Sequence, residues 1–275
     1  MDPGPVPGGA RRTEEEIIAL LRSRGPALVA LSGGVDSSAV AALAHAAVGA
    51  RAVAATVVSS AVSPREVEAA EEVARAVGLR LRLVAAEPLS DERYRANGAD
   101  RCYRCRSVET RALRTVGEAE GVRQYLDGIH LDDLGDDRPG IAAMDQAGFF
   151  HPFVWASWTK DDVRRYARAA ALPNWDRPSN ACLASRVARG EAISRELLER
   201  IDRAEGEILD RGFRRVRVRV RGDRARVEVD RSEVPRLDDP ALRAEITGAL
   251  CRLGFVAVTF DPEGYLGRER LPVVR

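Results

Sequence analysis

Lysine is almost missing from this chain. Of 43 lysine and arginine residues only Lys160 is a lysine. That excludes a nucleotide loop of the Gly-Lys-Ser/Thr kind and leaves one amine for Schiff-base chemistry. Cysteine is scarce as well. Cys102, Cys105, Cys182 and Cys251 are too few for a fold stapled by disulfides, and with no apolar signal core at the amino terminus a reducing cytoplasm is the expected setting. No run of about 18 apolar residues occurs, which excludes a membrane-spanning helix. An excess of either charge is lacking too, because 43 basic and 42 acidic residues leave a net +1. No global field therefore draws the chain to nucleic acid or anionic lipid, and neither is an expected partner.

What is present is an ordinary globular composition, 45% hydrophobic and 31% charged over 275 residues, with room for about two domains. Residues 1–12 are rich in proline and glycine and are expected to form a flexible tail. A helix is expected over 13–23. An apolar run at 27–31 ends in Ser32-Gly33-Gly34 before a helical stretch at 36–47, which reads as strand, tight turn, helix. A second run, 52–58, leads to Ser63-Pro64-Arg65-Glu66, a capping-box pattern opening a helix with apolar positions at Val67, Ala70, Val73 and Val77. Further strands are expected at 80–84 and 124–129, with helices at 107–120 and 159–171. Such alternation predicts an α/β domain over 13–190, a parallel sheet covered by helices on both faces. Beyond residue 190 the order changes: a helix at 194–212, period-two strands at 216–220 and 224–229 across Arg221-Gly222-Asp223, a helix at 240–253 and a strand at 257–260. This predicts a smaller α+β domain over 191–275.

The segment Ser32-Gly33-Gly34-Val35-Asp36-Ser37-Ser38 carries the clearest chemistry. Two glycines permit a tight turn, and the following helix offers its positive amino end to an anion. Ser32, Ser37 and Ser38 add hydroxyl donors. Asp36 would repel a bare phosphate, so its presence makes sense with a magnesium ion between it and a nucleotide. The segment resembles the SGG-x-D-S motif of the pyrophosphate-loop ATPase superfamily. That resemblance implies an enzyme that splits ATP between the α- and β-phosphates and adenylates its substrate.

Cys102 and Cys105 form a CxxC flanked by arginines, and neighbouring cations favour the thiolate. The residues themselves leave three readings open: a redox dithiol, a zinc site completed by further ligands, or an iron–sulfur cluster held by three thiolates with one iron open. Cys182 follows a Pro/Ser/Asn loop, where chemistry usually sits. Cys251, on a helix beside Leu250 and Leu253, is expected to be a small buried hydrophobe.

Several further stretches narrow the resemblance. Ser32–Ser38, Arg101-Cys102-Tyr103-x-Cys105, Asp127-Gly128 with Asp132-Asp133-Leu134, Arg138-Pro139-Gly140, Trp175-Asp176-x-Pro178, Cys182-Leu-Ala-Ser-Arg186, Arg217-Val-Arg219 with Gly222-Asp223, and Gly264-Tyr265 together are similar to the LarE family. Its members are ATP-dependent sulfur transferases that help build the nickel-pincer nucleotide cofactor. The resemblance implies ATP and Mg2+ as cofactors, with Ser32, Gly33, Gly34, Asp36, Ser37 and Ser38 on the nucleotide and Asp36 on magnesium. It implies adenylation of a carboxylate of pyridinium-3,5-biscarboxylic acid mononucleotide and its conversion to a thiocarboxylate. The sulfur would come either from Cys182 itself, which becomes dehydroalanine, or from a [4Fe-4S] cluster on Cys102, Cys105 and Cys182; because all three cysteines are present, the resemblance implies the cluster-using type, with the cluster as a further cofactor. By the same resemblance the chain forms a homo-oligomer and exchanges intermediates with other enzymes of its pathway, while nickel itself need not bind.

The implied substrate is anionic, and arginine forks from Arg186, Arg217 and Arg219 would suit its phosphate and carboxylates. An exposed polar face is the competing reading for Arg217 and Arg219. Glu205 and Asp223 match acidic positions of the family or are solvated surface charge. Three departures touch nucleotide or substrate loops: Ile129-His130 where the family usually has Thr-Asn, Asp137 where it has tyrosine, and Ala188-Arg189 where it has Pro-Tyr. His130 either replaces an amide as a donor or, the preferred reading, is a polar loop residue. The rival functions are an amide-forming ATP pyrophosphatase of the NAD synthetase type, a tRNA thiolase, and a non-enzymatic nucleotide-binding scaffold.

Overall fold

The computed structural model describes residues 10–135 and 139–266. The tail residues 1–9, Asp137 and Arg138 of the departures and motifs above lie outside them. The chain divides into two compact units, Met1–Tyr94 with Ala99–Asn180, and Arg95–Gly98 with Ala181–Arg275.

The first unit is an α/β layer structure. In chain order it holds α1 (Glu14–Arg24), β1 (Ala27–Ala30), α2 (Val35–Val48), β2 (Ala52–Val58), α3 (Pro64–Val77), β3 (Arg80–Ala85), the short turn α4 (Glu92–Arg95, whose last residue passes to the second unit), α5 (Arg101–Ala119), β4 (Gln124–Leu126), α6 (Pro139–Gln146), β5 (Phe149–Phe150), the short α7 (Pro152–Trp155) and α8 (Lys160–Ala169). The strands form a parallel sheet in the order β3-β2-β1-β4-β5. Successive side chains of a strand point to opposite faces, and here both faces are covered. Ala27 and Val29 of β1 join Ala52 and Ala54 under α1, α2, α3 and α8. Leu28, Val53 and Ala55 join Val84, Tyr125 and Phe149 under Leu113 of α5 and Met144 of α6.

Local chemistry sets the helix ends. Thr13 and Thr159 cap α1 and α8 in full capping boxes with Glu16 and Asp162. The box expected at Ser63 does not form. Ser63 makes no side-chain cap bond, since the Glu66 N–H donates to the Ser63 carbonyl at 2.9 Å, and the Glu66 carboxylate, the other half of the box, accepts from Arg177 and Asn180 at 2.8 Å and 2.7 Å. The tail expected through residue 12 also ends earlier. Arg12 donates its backbone N–H to Ala156 O at 3.0 Å, and its carbonyl accepts from Trp158 Nε1 at 2.8 Å.

The second unit contains α9 (Arg195–Leu209), β6 (Val216–Arg221), β7 (Arg224–Val229), α10 (Pro240–Arg252) and β8 (Ala257–Phe260). Its sheet runs β6-β7-β8, with an antiparallel hairpin between β6 and β7 and a parallel pairing of β7 with β8. The boundary expected near residue 190 falls at 180/181 instead. Val187 bridges Val220 of β6, Asn97 Nδ2 donates to Ala188 O at 2.8 Å, and Ile193 N–H donates to Arg95 O at 2.8 Å. These bonds tie residues 181–193 and 95–98 into the same unit. Among the described residues no helix is long and apolar enough to cross a membrane.

Candidate active site

Two features of backbone geometry build the turn between β1 and α2. Gly33 has φ +75, a left-handed conformation that favours glycine, and a Cβ there would lie 2.6 Å from Glu66 O. Gly128, just beyond β4, comes so close that its Cβ would lie 2.7 Å from both Asp36 C and Ser37 N. The turn is thus wedged between α3 and the Asp127-Gly128 loop. Gly34 is the N-cap of α2 and has no side chain to satisfy the helix's first N–H groups. That leaves the amino end of a fourteen-residue helix open to an anion.

The serines divide between two roles. Ser32 is exposed, and its hydroxyl lies 3.1 Å from Ser37 Oγ, which also donates to Gly34 O at 3.0 Å. Ser38 corrects the sequence reading. Its fully buried hydroxyl donates to Gly34 O at 2.8 Å and accepts from Asn174 Nδ2 at 2.9 Å, so it braces the turn rather than facing a ligand. Asn174 was not singled out from sequence, yet the same amide also donates to Gly33 O at 2.8 Å. Arg177 adds a bond to that carbonyl at 3.3 Å and pairs with Glu66.

Asp36 lies in the first turn of α2, half-buried, with its two carboxylate oxygens 2.5 Å and 2.6 Å from Lys160 Nζ. The carboxylate therefore faces a position already occupied by a cation, which fits it to hold a divalent ion there. His130 is buried, with Nε2 3.5 Å from Asp133 and 4.0 Å from Asp36. The preferred reading of it as a polar loop residue gives way to a place inside this cluster. Behind the Asp127-Gly128 loop, His151 lies between Asp127 at 2.7 Å and Asp145 at 2.8 Å. Burial opposes its protonation, but the hydrogen bonds and charges of Asp127, then Asp145, outweigh that and lift its pKa to about 9.

The cysteines fall on both units. Cys102 and Cys105 lie in the first turns of α5, which begins before the helix expected at 107, and they stand three residues apart on it. The Cys105 thiol is buried and donates to Glu109 Oε1 at 3.3 Å, and Arg101 approaches Cys102 Sγ at 3.8 Å. Cys182 belongs to the second unit, where it is exposed at the head of a short 3-10 turn over Leu183–Arg186. Among the described residues no group of three or more His, Cys, Asp or Glu side chains could hold a metal ion. Cys251 is a correction. It is exposed, because α10 turns Ile246, Ala249 and Leu250 inward and leaves position 251 on the outer side.

The three arginines expected at the substrate, Arg186, Arg217 and Arg219, belong to the same unit as Cys182. Arg186, expected to bind substrate, is wholly buried. Its guanidinium grips Glu205 at 2.8 Å and 2.9 Å and donates to Ala181 O, Cys182 O and Ser185 Oγ. It therefore holds the Cys182 loop in place. Glu205 is its buried partner and no surface charge, whereas Asp223 is exposed and 3.6 Å from Arg200. Arg217 is also buried, which removes the exposed-face reading for it. Desolvation, then the Arg186 cation, holds its pKa down to about 10, and its guanidinium stacks on Tyr265 at 5.2 Å. Arg219, partly exposed, donates to Glu228 at 3.0 Å and to Ser185 O at 2.9 Å.

The asparagine synthase family model matches residues 11–96, the stretch that carries the β1–α2 turn. The chain is 37% identical over 239 residues to an uncharacterized protein of Synechocystis sp., covering 87% of this chain and 89% of that one. It is 29% identical over 250 residues to the pyridinium-3,5-bisthiocarboxylic acid mononucleotide synthase of Lactiplantibacillus plantarum, covering 90% of each. Both similarities extend over both units.

Proposed function

The chain belongs to the LarE family, and we propose that it is an ATP-dependent sulfur transferase that turns a carboxylate of pyridinium-3,5-biscarboxylic acid mononucleotide into a thiocarboxylate. The observation that carries this is the β1–α2 turn, a glycine wedge at an open helix end with one carboxylate, in a chain similar over 90% of its length to a bisthiocarboxylic acid mononucleotide synthase.

A carboxylate oxygen is a poor leaving group, and adenylation replaces it with AMP. Ser32, Gly33, Gly34 and Ser37 cradle the departing pyrophosphate with the amino end of α2. Asp36 holds a magnesium ion, which when bound neutralises phosphate charge. In the second unit Arg217 and Arg219 take the substrate's phosphate, and Arg186 fixes the loop that presents Cys182. The Cys182 thiolate attacks the activated carbonyl carbon, AMP leaves with the bonding electron pair, and a thioester to Cys182 forms. Loss of the Cys182 Cα proton then breaks the Cβ–S bond. The thiocarboxylate departs with the sulfur, and dehydroalanine remains at position 182. Cys102 and Cys105 place two thiols one helical turn apart on α5.

The test is incubation of the full chain, purified without oxygen, with ATP, Mg2+ and the biscarboxylate mononucleotide, read by mass spectrometry of nucleotides, product and protein. AMP is expected to appear in step with thiocarboxylate, and the protein loses the mass of hydrogen sulfide at Cys182. Cys182→Ala retains ATP binding and forms no product. Unchanged thiolation by that variant overturns the assignment of Cys182. About four irons per chain, with acid-labile sulfide, moves the sulfur source to a cluster.

A further inference from the structure

The single lysine of the chain, Lys160, sits at the first position of α8, and its ammonium bridges both oxygens of Asp36 from 124 positions away in sequence. Its backbone is anchored: the Lys160 N–H donates to Asp132 at 2.7 Å, and Thr159 caps the helix through Asp162. Its side chain is not confined in the same way. At 24% and 30% exposure the pair is within reach of water, where an ion pair contributes little to stability. A flexible four-carbon stem can carry the ammonium elsewhere.

The charges explain why it is there. Asp36 is the only acidic residue between Ser32 and Ser38. A phosphate arriving alone at the α2 amino end meets Asp36 as soon as Lys160 leaves that carboxylate. A divalent cation arriving alone meets the ammonium already there. Together the two ligands remove both conflicts. We propose that Lys160 is an exchangeable counter-ion: it neutralises Asp36 in the resting chain and, when nucleotide and divalent cation bind together, moves its ammonium to a phosphate oxygen of ATP while Asp36 takes the cation. This rests on the reading of the β1–α2 turn as the ATP site. Its consequence is positive coupling between the two ligands, reciprocal by linkage and of about 5–150-fold.

The test uses the full chain, Mn2+ counted by electron paramagnetic resonance, and α,β-methylene-ATP, which is not split. In Lys160→Met, Mn2+ alone binds about tenfold tighter than in wild type, the nucleotide alone binds about tenfold weaker, and the coupling shrinks accordingly. Opposite signs for the two ligands separate this from structural damage, which weakens both. Lys160→Arg keeps a cation on Asp36, so Mn2+ alone binds no tighter than in wild type, and it serves as the folded control. Mn2+ affinity that is unchanged or lower in Lys160→Met overturns the proposal while leaving the ATP site intact. Failure of the wild-type chain to bind the nucleotide with Mn2+, or nucleotide-dependent Mn2+ binding that survives Asp36→Asn, overturns the reading beneath it and the proposal together.

Discussion

Replacing Arg186 with methionine tests how the second unit holds the loop that carries Cys182. The guanidinium gives five hydrogen bonds there, two to Glu205 and three to Ala181 O, Cys182 O and Ser185 Oγ. Methionine keeps much of the aliphatic volume and offers no donor, so Glu205 stays buried with the Val218 N–H at 2.9 Å. Removing one partner of a buried ion pair costs about 3–5 kcal/mol, because the other charge is left uncompensated. At about 1.4 kcal/mol per factor of ten, opening of β6 becomes between about a hundredfold and about three-thousandfold more frequent. Trp155, Trp158 and Trp175 all lie in the first unit, so tryptophan fluorescence does not report this loss. Hydrogen exchange of peptides from β6 and α9 does. Removing both charges in Arg186→Met with Glu205→Leu is expected to recover most of the protection, since an apolar pair leaves no buried charge. The reasoning fails if protection of β6 falls less than about tenfold in the single variant, or if the double variant is no better.

Four further outcomes follow from the geometry. His151 is held at a pKa of about 9, above its ordinary 6.5, so its stabilisation of the first unit is complete below about pH 6.5 and is lost as pH rises through about 9; thermal unfolding followed by tryptophan fluorescence should show that decline in wild type and a flatter profile in His151→Gln. Gly33→Ala sets a Cβ 2.6 Å from Glu66 O at a positive φ, and strain of about 1–3 kcal/mol should cut ATP-dependent pyrophosphate release by about tenfold or more. Asn174→Ala removes the bonds to Gly33 O and Ser38 Oγ and should cost about 1–3 kcal/mol, read as weaker nucleotide binding in a titration and a lower melting temperature. Cys251→Ser, at an exposed position, should stay within about 0.5 kcal/mol of wild type and keep full thiolation activity, and a clear loss in either assay would return chemistry to that thiol.

Local signals made most of the first sheet legible, and the failures share a physical cause. β1 and β2 announce themselves as apolar runs because both their faces are covered, and a covered strand needs no polar alternation. β5 spans two residues, Phe149 and Phe150, too short for any period to register. The start of α5 is hidden because Arg101, Cys102, Arg104, Cys105 and Arg106 offer no apolar stripe, although Arg104 pairs with Asp100 one turn back. The Ser63 box lost its Glu66 half to distant partners, Arg177 and Asn180, while the Glu66 N–H went to the Ser63 carbonyl. The candidate site divides along the same line. Its turn is a contiguous string whose residue types state their conformations, so Ser32 to Ser38 could be found by inspection. What gives that turn its charge state comes from elsewhere: Lys160 lies 124 positions from Asp36, and Asn174 lies 141 from Gly33. Composition held one indirect clue to the first of these. A chain that uses arginine almost everywhere has a lysine at position 160, where a compact, strongly hydrated ammonium on a flexible stem can leave a carboxylate more readily than a guanidinium bound to it by two parallel hydrogen bonds.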